Sequence, residues 1–293
     1  MEIIVGKNAG FCYGVRRAVD GAISQLNNAD KTNGIYCLGE IVHNKDVVKS
    51  LEDKGMKFIE DISEANGLTI IRAHGVPESV YKEAKQMNIE IRDYTCPKVL
   101  KIHEIVEEYS KKGFYIFLTG SKVHPENIGT MSYCGNNYFV IENKDMIEEA
   151  ISEFEKTNLN KLLLISQTTF SMEKFDIIKK IISENIDKDV DLVIKNTICA
   201  ATKVRQEEVT EVAKKVNKMI IIGGKNSSNT KKLFEIASGI CKDSICIEND
   251  KEIECDFFNK NDKIGIMAGA STPQESIDKV VAKLTESLEF AII

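Results

Sequence analysis

The sequence predicts an α/β fold of three similar small α/β domains with parallel sheets, in a pseudo-threefold arrangement. Short apolar runs, such as Tyr115–Leu118, Leu162–Ile165 and Met219–Ile222, are typical of buried parallel strands. Amphipathic stretches alternate with them, as over 99–109, where apolar residues recur at helical spacing. Strand–helix alternation favours parallel sheets. An internal repeat indicates that the plan occurs three times.

The repeated segment is a short strand, then a loop that contains a cysteine, then a helix. The three cysteines are Cys12, Cys96 and Cys199. Each segment is followed by two further strand–loop–helix units whose loops are polar. In two segments these loops follow the cysteine by the same intervals of 28 and 72 residues: His124 and Thr168 after Cys96, Ser227 and Ser271 after Cys199. In the first segment, His43 and His74 follow Cys12 by 31 and 62 residues.

The repeat predicts three domains, at about 13–96, 97–196 and 197–293, with residues 1–12 packing on the third. Parallel α/β units carry their ligand-binding loops at the carboxyl ends of the strands. Three facing units would therefore aim three cysteines and six polar loops at one central point.

The composition excludes several functional classes. There are 39 Lys and Arg against 45 Asp and Glu, so the net charge of −6 gives no cationic surplus for coating nucleic acid. No apolar run reaches the length of a membrane span, and the first residues do not resemble a secretory signal. We therefore expect a cytoplasmic protein with reduced cysteines and neither a nucleic-acid nor a membrane partner.

The cysteines of the repeat have a chemical setting suited to metal binding. A helix N-terminus lowers the pKa of a thiol and favours the thiolate, and Pro97 fits the first helical position after Cys96. Three thiolates cannot complete four-cysteine ligation of a 4Fe–4S cluster, so one iron would stay open to a substrate oxygen. Taken singly, each cysteine is more simply a small buried residue, as is expected of Cys37 in its apolar run.

The polar loops offer groups that bind phosphate or transfer protons. Hydroxyls, amides and backbone N–H groups at helix N-termini bind phosphate, although the same residue types also cap helices. The candidates are His43, His74, His124, Ser227, Ser228, Asn229 and Ser271. Glu126, beside His124, is a candidate acid or proton relay. The segment GGKNSSN is not a P-loop, because an Asn follows its lysine.

These motifs together resemble the family of 4-hydroxy-3-methylbut-2-enyl diphosphate reductases, which act last in the methylerythritol phosphate route to isoprenoids. The matching segments run through nearly the whole chain in order: AGFC at 9–12, GEIVHN at 39–44, RAHGVP at 72–77, TCP at 95–97, HPE at 124–126, GT at 129–130, QTT at 167–169, TIC at 197–199, KNSSN at 225–229 and AGASTP at 268–273.

The resemblance implies a central 4Fe–4S cluster that Cys12, Cys96 and Cys199 hold, one from each domain. It implies that the open iron takes the hydroxyl oxygen of the substrate, that two electrons and two protons remove it as water, and that isopentenyl and dimethylallyl diphosphate are the products. Glu126 matches the family's proton donor, with Thr168 near the hydroxyl. The substrate-binding matches are His43, His74, His124, Thr168, Ser227, Ser228, Asn229 and Ser271. The resemblance also implies that a ferredoxin or flavodoxin-type protein donates the electrons, and we expect a monomer or weak homodimer.

The sequence departs from the family pattern at Tyr13, Tyr94, Val123, Asn196 and Ala200. None of these positions is a ligand or the proton donor, so they bear on the surrounding packing and on donor docking. Two other functional classes fit the same loops. One is a zinc or mononuclear-iron hydrolase of phosphorylated compounds, and the other is a non-catalytic iron–sulfur sensor or phosphate-binding regulator.

Overall fold

The computed structural model describes residues 2–28 and 34–289 and contains three four-stranded parallel sheets with helices between their strands. The predicted α/β class is therefore confirmed. Contacts divide the chain into two compact units. Of the described residues, those within 1–16, 42–50 and 200–293 form the first unit, and those within 17–41 and 51–199 form the second.

The regular elements follow the alternation seen in the sequence. The strands are β1 Glu2–Val5, β2 Ile35–Leu38, β3 Met56–Ile59, β4 Leu68–Ile71, β5 Ile91–Asp93, β6 Tyr115–Thr119, β7 Tyr138–Ile141, β8 Lys161–Ser166, β9 Asp191–Ile194, β10 Lys218–Ile222, β11 Ser244–Ile247 and β12 Lys263–Ala268. The helices are α1 Tyr13–Asn28, α2 Lys45–Glu52, α3 Glu78–Gln86, α4 Pro97–Lys111, α5 Pro125–Met131, α6 Ile147–Glu155, α7 Met172–Asn185, α8 Ala200–Ala213, α9 Ser228–Ile240 and α10 Gln274–Glu289.

The strand order repeats from sheet to sheet. Two sheets of the second unit have the orders β3-β2-β4-β5 and β7-β6-β8-β9, and the sheet of the first unit has the order β11-β10-β12-β1. In the last sheet β1 takes the edge position that β5 and β9 hold in the others, and Glu2 pairs with Lys263 at the start of their register. The internal repeat read from the sequence is thus a repeat of topology. The predicted three-domain boundaries stay a prediction.

The central strands owe their position to their apolar composition. In the second unit, β6 and β8 are buried on both faces, and Phe117 and Leu164 are fully enclosed. In the first unit, Ile220 and Ile266 of β10 and β12 are equally enclosed. Complete burial of a side chain of this size stabilises the fold by about 1.5–3 kcal/mol. Each sheet is therefore anchored at its two middle strands, and the loops after those strands start from rigid positions.

The helices are short or amphipathic. Along the described part of the chain, none combines the length and the apolar character that crossing a bilayer requires.

Candidate active site

The candidate residues lie in loops at the carboxyl ends of the middle strands. In the second unit, His74 follows β4, the HPE motif follows β6 and Thr168 follows β8. In the first unit, Ser227 follows β10 and Ser271 follows β12. Because β6 pairs with β8 and β10 pairs with β12, the loops of each pair leave the sheet side by side.

Glu126 and Thr168 form a buried pair in the second unit. Glu126 lies in the first turn of α5 and is only 2% exposed. The Thr168 hydroxyl donates to Glu126 Oε2 at 2.6 Å, and the Thr168 backbone N–H donates to Oε1 at 2.6 Å. Both carboxyl oxygens therefore have a hydrogen-bond partner on one residue, which fixes the plane of the carboxyl group.

Burial controls the proton affinity of Glu126. Removal from water raises the pKa of its carboxyl from 4.5 to about 7, although the two hydrogen bonds from Thr168 act in the opposite direction. A carboxyl with this pKa populates its acid and its base form together at neutral pH. Glu126 therefore has the property that a general acid needs.

Two histidines lie against this pair. His124 is the N-cap of α5, and its Nδ1 accepts from the backbone N–H of Glu126 at 3.2 Å. This hydrogen bond assigns the proton of a neutral His124 ring to Nε2. The ring of His74 meets the ring of His124 edge to face, with centroids 5.4 Å apart. The loops after β4 and β6 thus bring two imidazoles together beside a protonatable carboxyl.

Two of the predicted cysteines frame this group. Cys96 is the N-cap of α4, and its N–H donates to the carbonyl of Ala73 at 3.0 Å, one residue before His74. Cys199 directly precedes α8, and its N–H donates to the carbonyl of Thr168 at 2.9 Å. One series of contacts therefore runs from the Cys96 loop through the histidines and the Glu126–Thr168 pair to Cys199.

The first unit contains a matching arrangement around Cys12. The N–H of Cys12 donates to the carbonyl of Ala270 at 3.1 Å, and the hydroxyl of the next residue, Ser271, donates to the carbonyl of His43 at 3.3 Å. A Cβ on Gly224 would lie 2.1 Å from that same carbonyl oxygen. Only glycine permits this close approach of the two loops.

The start of α9 supplies a cluster of small polar groups. Ser227 is the N-cap, and its Oγ accepts from the Thr230 N–H at 3.3 Å. Ser228 is half-buried and Asn229 is 4% exposed. Among the described residues, no hydrogen-bond partner reaches Asn229 Nδ2. A buried amide donor in this state favours an acceptor brought by a ligand, because burial without a partner costs free energy.

Two amide side chains that are not among the predicted site residues lie beside Glu126 and Thr168 in the chain. Asn127 is fully buried, and its Nδ2 donates to the Ser121 carbonyl at 2.9 Å and to Gln167 Oε1 at 3.2 Å. Gln167 Oε1 also accepts from the Ser121 N–H at 3.1 Å. These contacts join the Glu126 helix to the Thr168 loop. The signal in the sequence that could have found them is adjacency, because Asn127 directly follows Glu126 and Gln167 directly precedes Thr168.

Two of the residues that depart from the family pattern, Tyr94 and Asn196, make specific local contacts. Tyr94 fits against Gly21 of α1, where a Cβ would lie 2.3 Å from the ring, and its hydroxyl accepts from Gln25 at 3.3 Å. Asn196 accepts from the Ile198 N–H at 3.0 Å through its side-chain oxygen, as an aspartate could.

The other departures lie towards solvent. Tyr13 is 73% exposed and Val123 is 80% exposed, and Ala200 is an exposed first residue of α8. Nothing in the structure explains why these particular residues occupy the three positions.

Two other residues with reactive side chains, Cys37 and His103, are buried. Cys37 lies in the core as predicted, and burial raises the pKa of its thiol to about 12. His103 of α4 is only 5% exposed, and its ring stacks on Tyr133 with ring centroids 4.5 Å apart. Burial lowers the pKa of His103 to about 4, so this ring stays neutral.

Comparison with protein families and curated proteins gives one consistent description. The family model described as LytB protein matches residues 3–285. A relative from Clostridioides difficile (strain 630) is 42% identical over 286 residues, which cover 97% of this chain and 99% of the relative. One from Alkaliphilus oremlandii (strain OhILAs) is 38% identical over 286 residues, again 97% of this chain and 99% of the relative. Both are named 4-hydroxy-3-methylbut-2-enyl diphosphate reductase.

Solved structures agree with this description. The structure of (E)-4-hydroxy-3-methyl-but-2-enyl diphosphate reductase, described as the terminal enzyme of the non-mevalonate pathway, is 35% identical with a TM-score of 0.70, covering 98% of this chain and 100% of that one. The structure of the E-1-hydroxy-2-methyl-but-2-enyl-4-diphosphate reductase from Plasmodium falciparum is 29% identical with a TM-score of 0.86, covering 97% of this chain and 88% of that one.

Proposed function

The chain belongs to the LytB protein family, and from this premise we propose that it reductively dehydroxylates 4-hydroxy-3-methylbut-2-enyl diphosphate to isopentenyl and dimethylallyl diphosphate. The observation that carries the proposal is the contact series of the second unit. It puts a buried carboxyl with a pKa of about 7 between two cysteine loops. A reductase that removes a hydroxyl as water needs a proton at that point.

The three repeat cysteines have the chemistry that an iron–sulfur cluster needs. Cys12, Cys96 and Cys199 are half-buried thiols, each directly before a helix, and each has its N–H bonded to a neighbouring loop. Backbone hydrogen bonds thus hold the loops that carry all three thiols. We assign them as the ligands of one 4Fe–4S cluster, which when bound supplies electrons and a Lewis-acidic iron at the hydroxyl group.

Glu126 and Thr168 provide the proton. In the acid form, Glu126 Oε2 carries a proton, and this oxygen lies 2.6 Å from Thr168 Oγ1. A hydroxyl both accepts and donates, so Thr168 can take this proton and pass its own outward to the leaving oxygen. The second hydrogen bond, from Thr168 N–H to Oε1, holds the carboxyl in place during the transfer.

The hydrogen-bond donors that we assign to the diphosphate are hydroxyl, amide and imidazole groups. We assign this role to His43, His74, His124, Ser227, Ser228, Asn229 and Ser271. The open Nδ2 of Asn229 and the N-terminus of α9 support an anion-binding role in the first unit. An imidazole can also gain a proton and become a cation, which suits the binding of an anion. Electrons come from a ferredoxin or flavodoxin-type protein, and the chain acts as a monomer or weak homodimer.

The test is turnover of the hydroxylated diphosphate with a reduced one-electron donor, by the wild-type protein and by Glu126→Gln. We expect Glu126→Gln to keep its iron–sulfur absorption and to lose about 10²–10⁴-fold in turnover, the usual contribution of a general acid. Unchanged turnover in this variant would remove Glu126 from the reaction. A wild-type protein that binds a cluster but does not consume the substrate would favour a sensor.

A further inference from the structure

The loop that carries Cys12 is clamped to α8 by two charged side chains. The carboxylate of Glu208 accepts from the backbone N–H groups of Lys7 and Asn8 at 2.6 and 3.0 Å. It also accepts from the side-chain amide of Asn8 at 3.1 Å. One α8 side chain thus satisfies two successive backbone donors of the 6–12 loop, the segment between β1 and α1.

Arg205, one turn earlier on α8, makes the second contact. Its side chain is buried, with 5% of the residue exposed. Nη2 donates to the Gly10 carbonyl at 2.7 Å, and Nη1 donates to the Ala201 carbonyl at 3.0 Å. Gly10 precedes Cys12 by two residues, and Ala201 follows Cys199 by two. A single planar guanidinium therefore links the Cys12 loop to the first turn of the helix that follows Cys199.

The opposite side of the loop lies close to Thr272 and Ile277. Gly10 has a φ of +96°, and a Cβ there would meet Ile277 Cδ1 and the Thr272 carbonyl oxygen, each at 3.3 Å. Cys12 itself is bonded through its N–H to the Ala270 carbonyl. The loop thus lies between α8 and the segment that begins α10, and its contacts with α8 involve the charged side chains of Arg205 and Glu208.

An independent contact in the second unit follows the same plan. Arg17 lies on α1, the helix that follows Cys12, and its Nη1 donates to the Thr95 carbonyl at 3.2 Å. Its guanidinium also lies 5.5 Å from the centroid of the Tyr94 ring. Thr95 directly precedes Cys96. Arg17 and Arg205 therefore each lie in the second turn of a helix that follows one repeat cysteine. Each donates to a backbone carbonyl in the loop that carries a different repeat cysteine.

We propose that Arg205 and Glu208 are positioning residues for the Cys12 thiolate, which they hold at a fixed distance from the start of α8. The inference rests on the proposed function, since it concerns how a ligand of the cluster is oriented. Arginine suits the task because its fork reaches two carbonyls at once, which the single ammonium of a lysine on a flexible stem cannot reproduce. Groups that orient metal ligands commonly change metal affinity 10–100-fold when altered.

The test compares Arg205→Lys and Glu208→Gln with Glu207→Gln, an exposed neighbour on α8 whose carboxylate lies 3.8 Å from Lys203. Amide hydrogen exchange of the 6–12 loop is measured with and without the cluster. The rate of iron loss to a chelator and the electron paramagnetic resonance spectrum of the reduced cluster are measured on the loaded protein. We expect Arg205→Lys to exchange at least about 10-fold faster in this loop, to lose iron about 10–100-fold faster and to show an altered spectrum. Glu208→Gln should show the same changes to a smaller extent, and Glu207→Gln none.

The outcomes separate this inference from the proposed function. A wild-type protein without a cluster contradicts the proposed function, while exchange in the 6–12 loop still reports on the clamp. Wild-type exchange and wild-type iron loss in both Arg205→Lys and Glu208→Gln overturn the positioning role. Faster exchange throughout the first unit, with an unchanged spectrum, also overturns it, because the residues would then only stabilise the fold. If Arg205→Lys does not fold, Glu208→Gln decides.

Discussion

Replacing Glu126 by glutamine should change the pH dependence of stability in a way that the structure quantifies. The carboxyl pKa is raised from 4.5 to about 7 in the folded protein because the group is buried. Each pKa unit corresponds to about 1.4 kcal/mol, so the protonated carboxyl favours the folded state by about 3 kcal/mol relative to the ionised one. This contribution is fully present below pH 4.5 and is lost as the pH rises through about 7. Glutamine has nearly the same shape and does not titrate.

The measurement is urea unfolding of reduced, cluster-free protein between pH 5 and pH 8. We expect the unfolding free energy of the wild type to fall by about 2–3 kcal/mol relative to Glu126→Gln across this range. Glu148→Gln, an exposed position on α6, serves as the control and should run parallel to the wild type. A constant difference between wild type and Glu126→Gln would show that the buried carboxyl does not titrate near neutrality, which would refute the reasoning for a proton donor.

Two further changes test close approaches. Gly21→Ala should destabilise the protein by about 1–3 kcal/mol, since the new Cβ would lie 2.3 Å from the Tyr94 ring, and this cost should vanish when Tyr94→Ala is also present. Urea unfolding of the four proteins measures the coupling, and equal costs in both backgrounds would contradict the contact. Gly224→Ala should raise the KM for the diphosphate substrate. The new Cβ would lie 2.1 Å from the His43 carbonyl oxygen, so the loop that carries His43 would have to move. Steady-state kinetics measures the effect, and an unchanged KM would exclude this loop from substrate binding.

The sequence was most informative where composition and repetition act together. The strands β6, β8 and β10 were predictable because short uninterrupted apolar runs that alternate with amphipathic helices are typical of the buried strands of a parallel sheet. The equal spacing of Thr168 and Ser271 from their cysteines placed both after a middle strand, β8 and β12 respectively. A shared position in a repeat can therefore be inferred without any knowledge of contacts.

Specific long-range contacts could not be inferred in the same way. The hydrogen bonds between Glu126 and Thr168 join residues that are 42 positions apart in the sequence. The hydrogen bond from Arg205 to the Gly10 carbonyl joins residues that are 195 positions apart. Nothing local to either partner encodes such a pairing, which exists only after the sheets have brought the loops together. The raised pKa of Glu126 is likewise a consequence of burial in the folded chain. The stacking of His103 on Tyr133 is a further contact that the position of His103 within a helix does not encode.

The central claim is that Cys12, Cys96 and Cys199 hold one cluster, and iron and acid-labile sulfide content tests it most directly. Protein purified without oxygen should contain about four irons and four sulfides per chain and should show a broad visible absorption. The variant Cys96→Ser should lose the iron, the sulfide and the absorption. A colourless protein that holds zinc, or that takes up no iron after anaerobic reconstitution, would contradict the cluster and with it the proposed reaction.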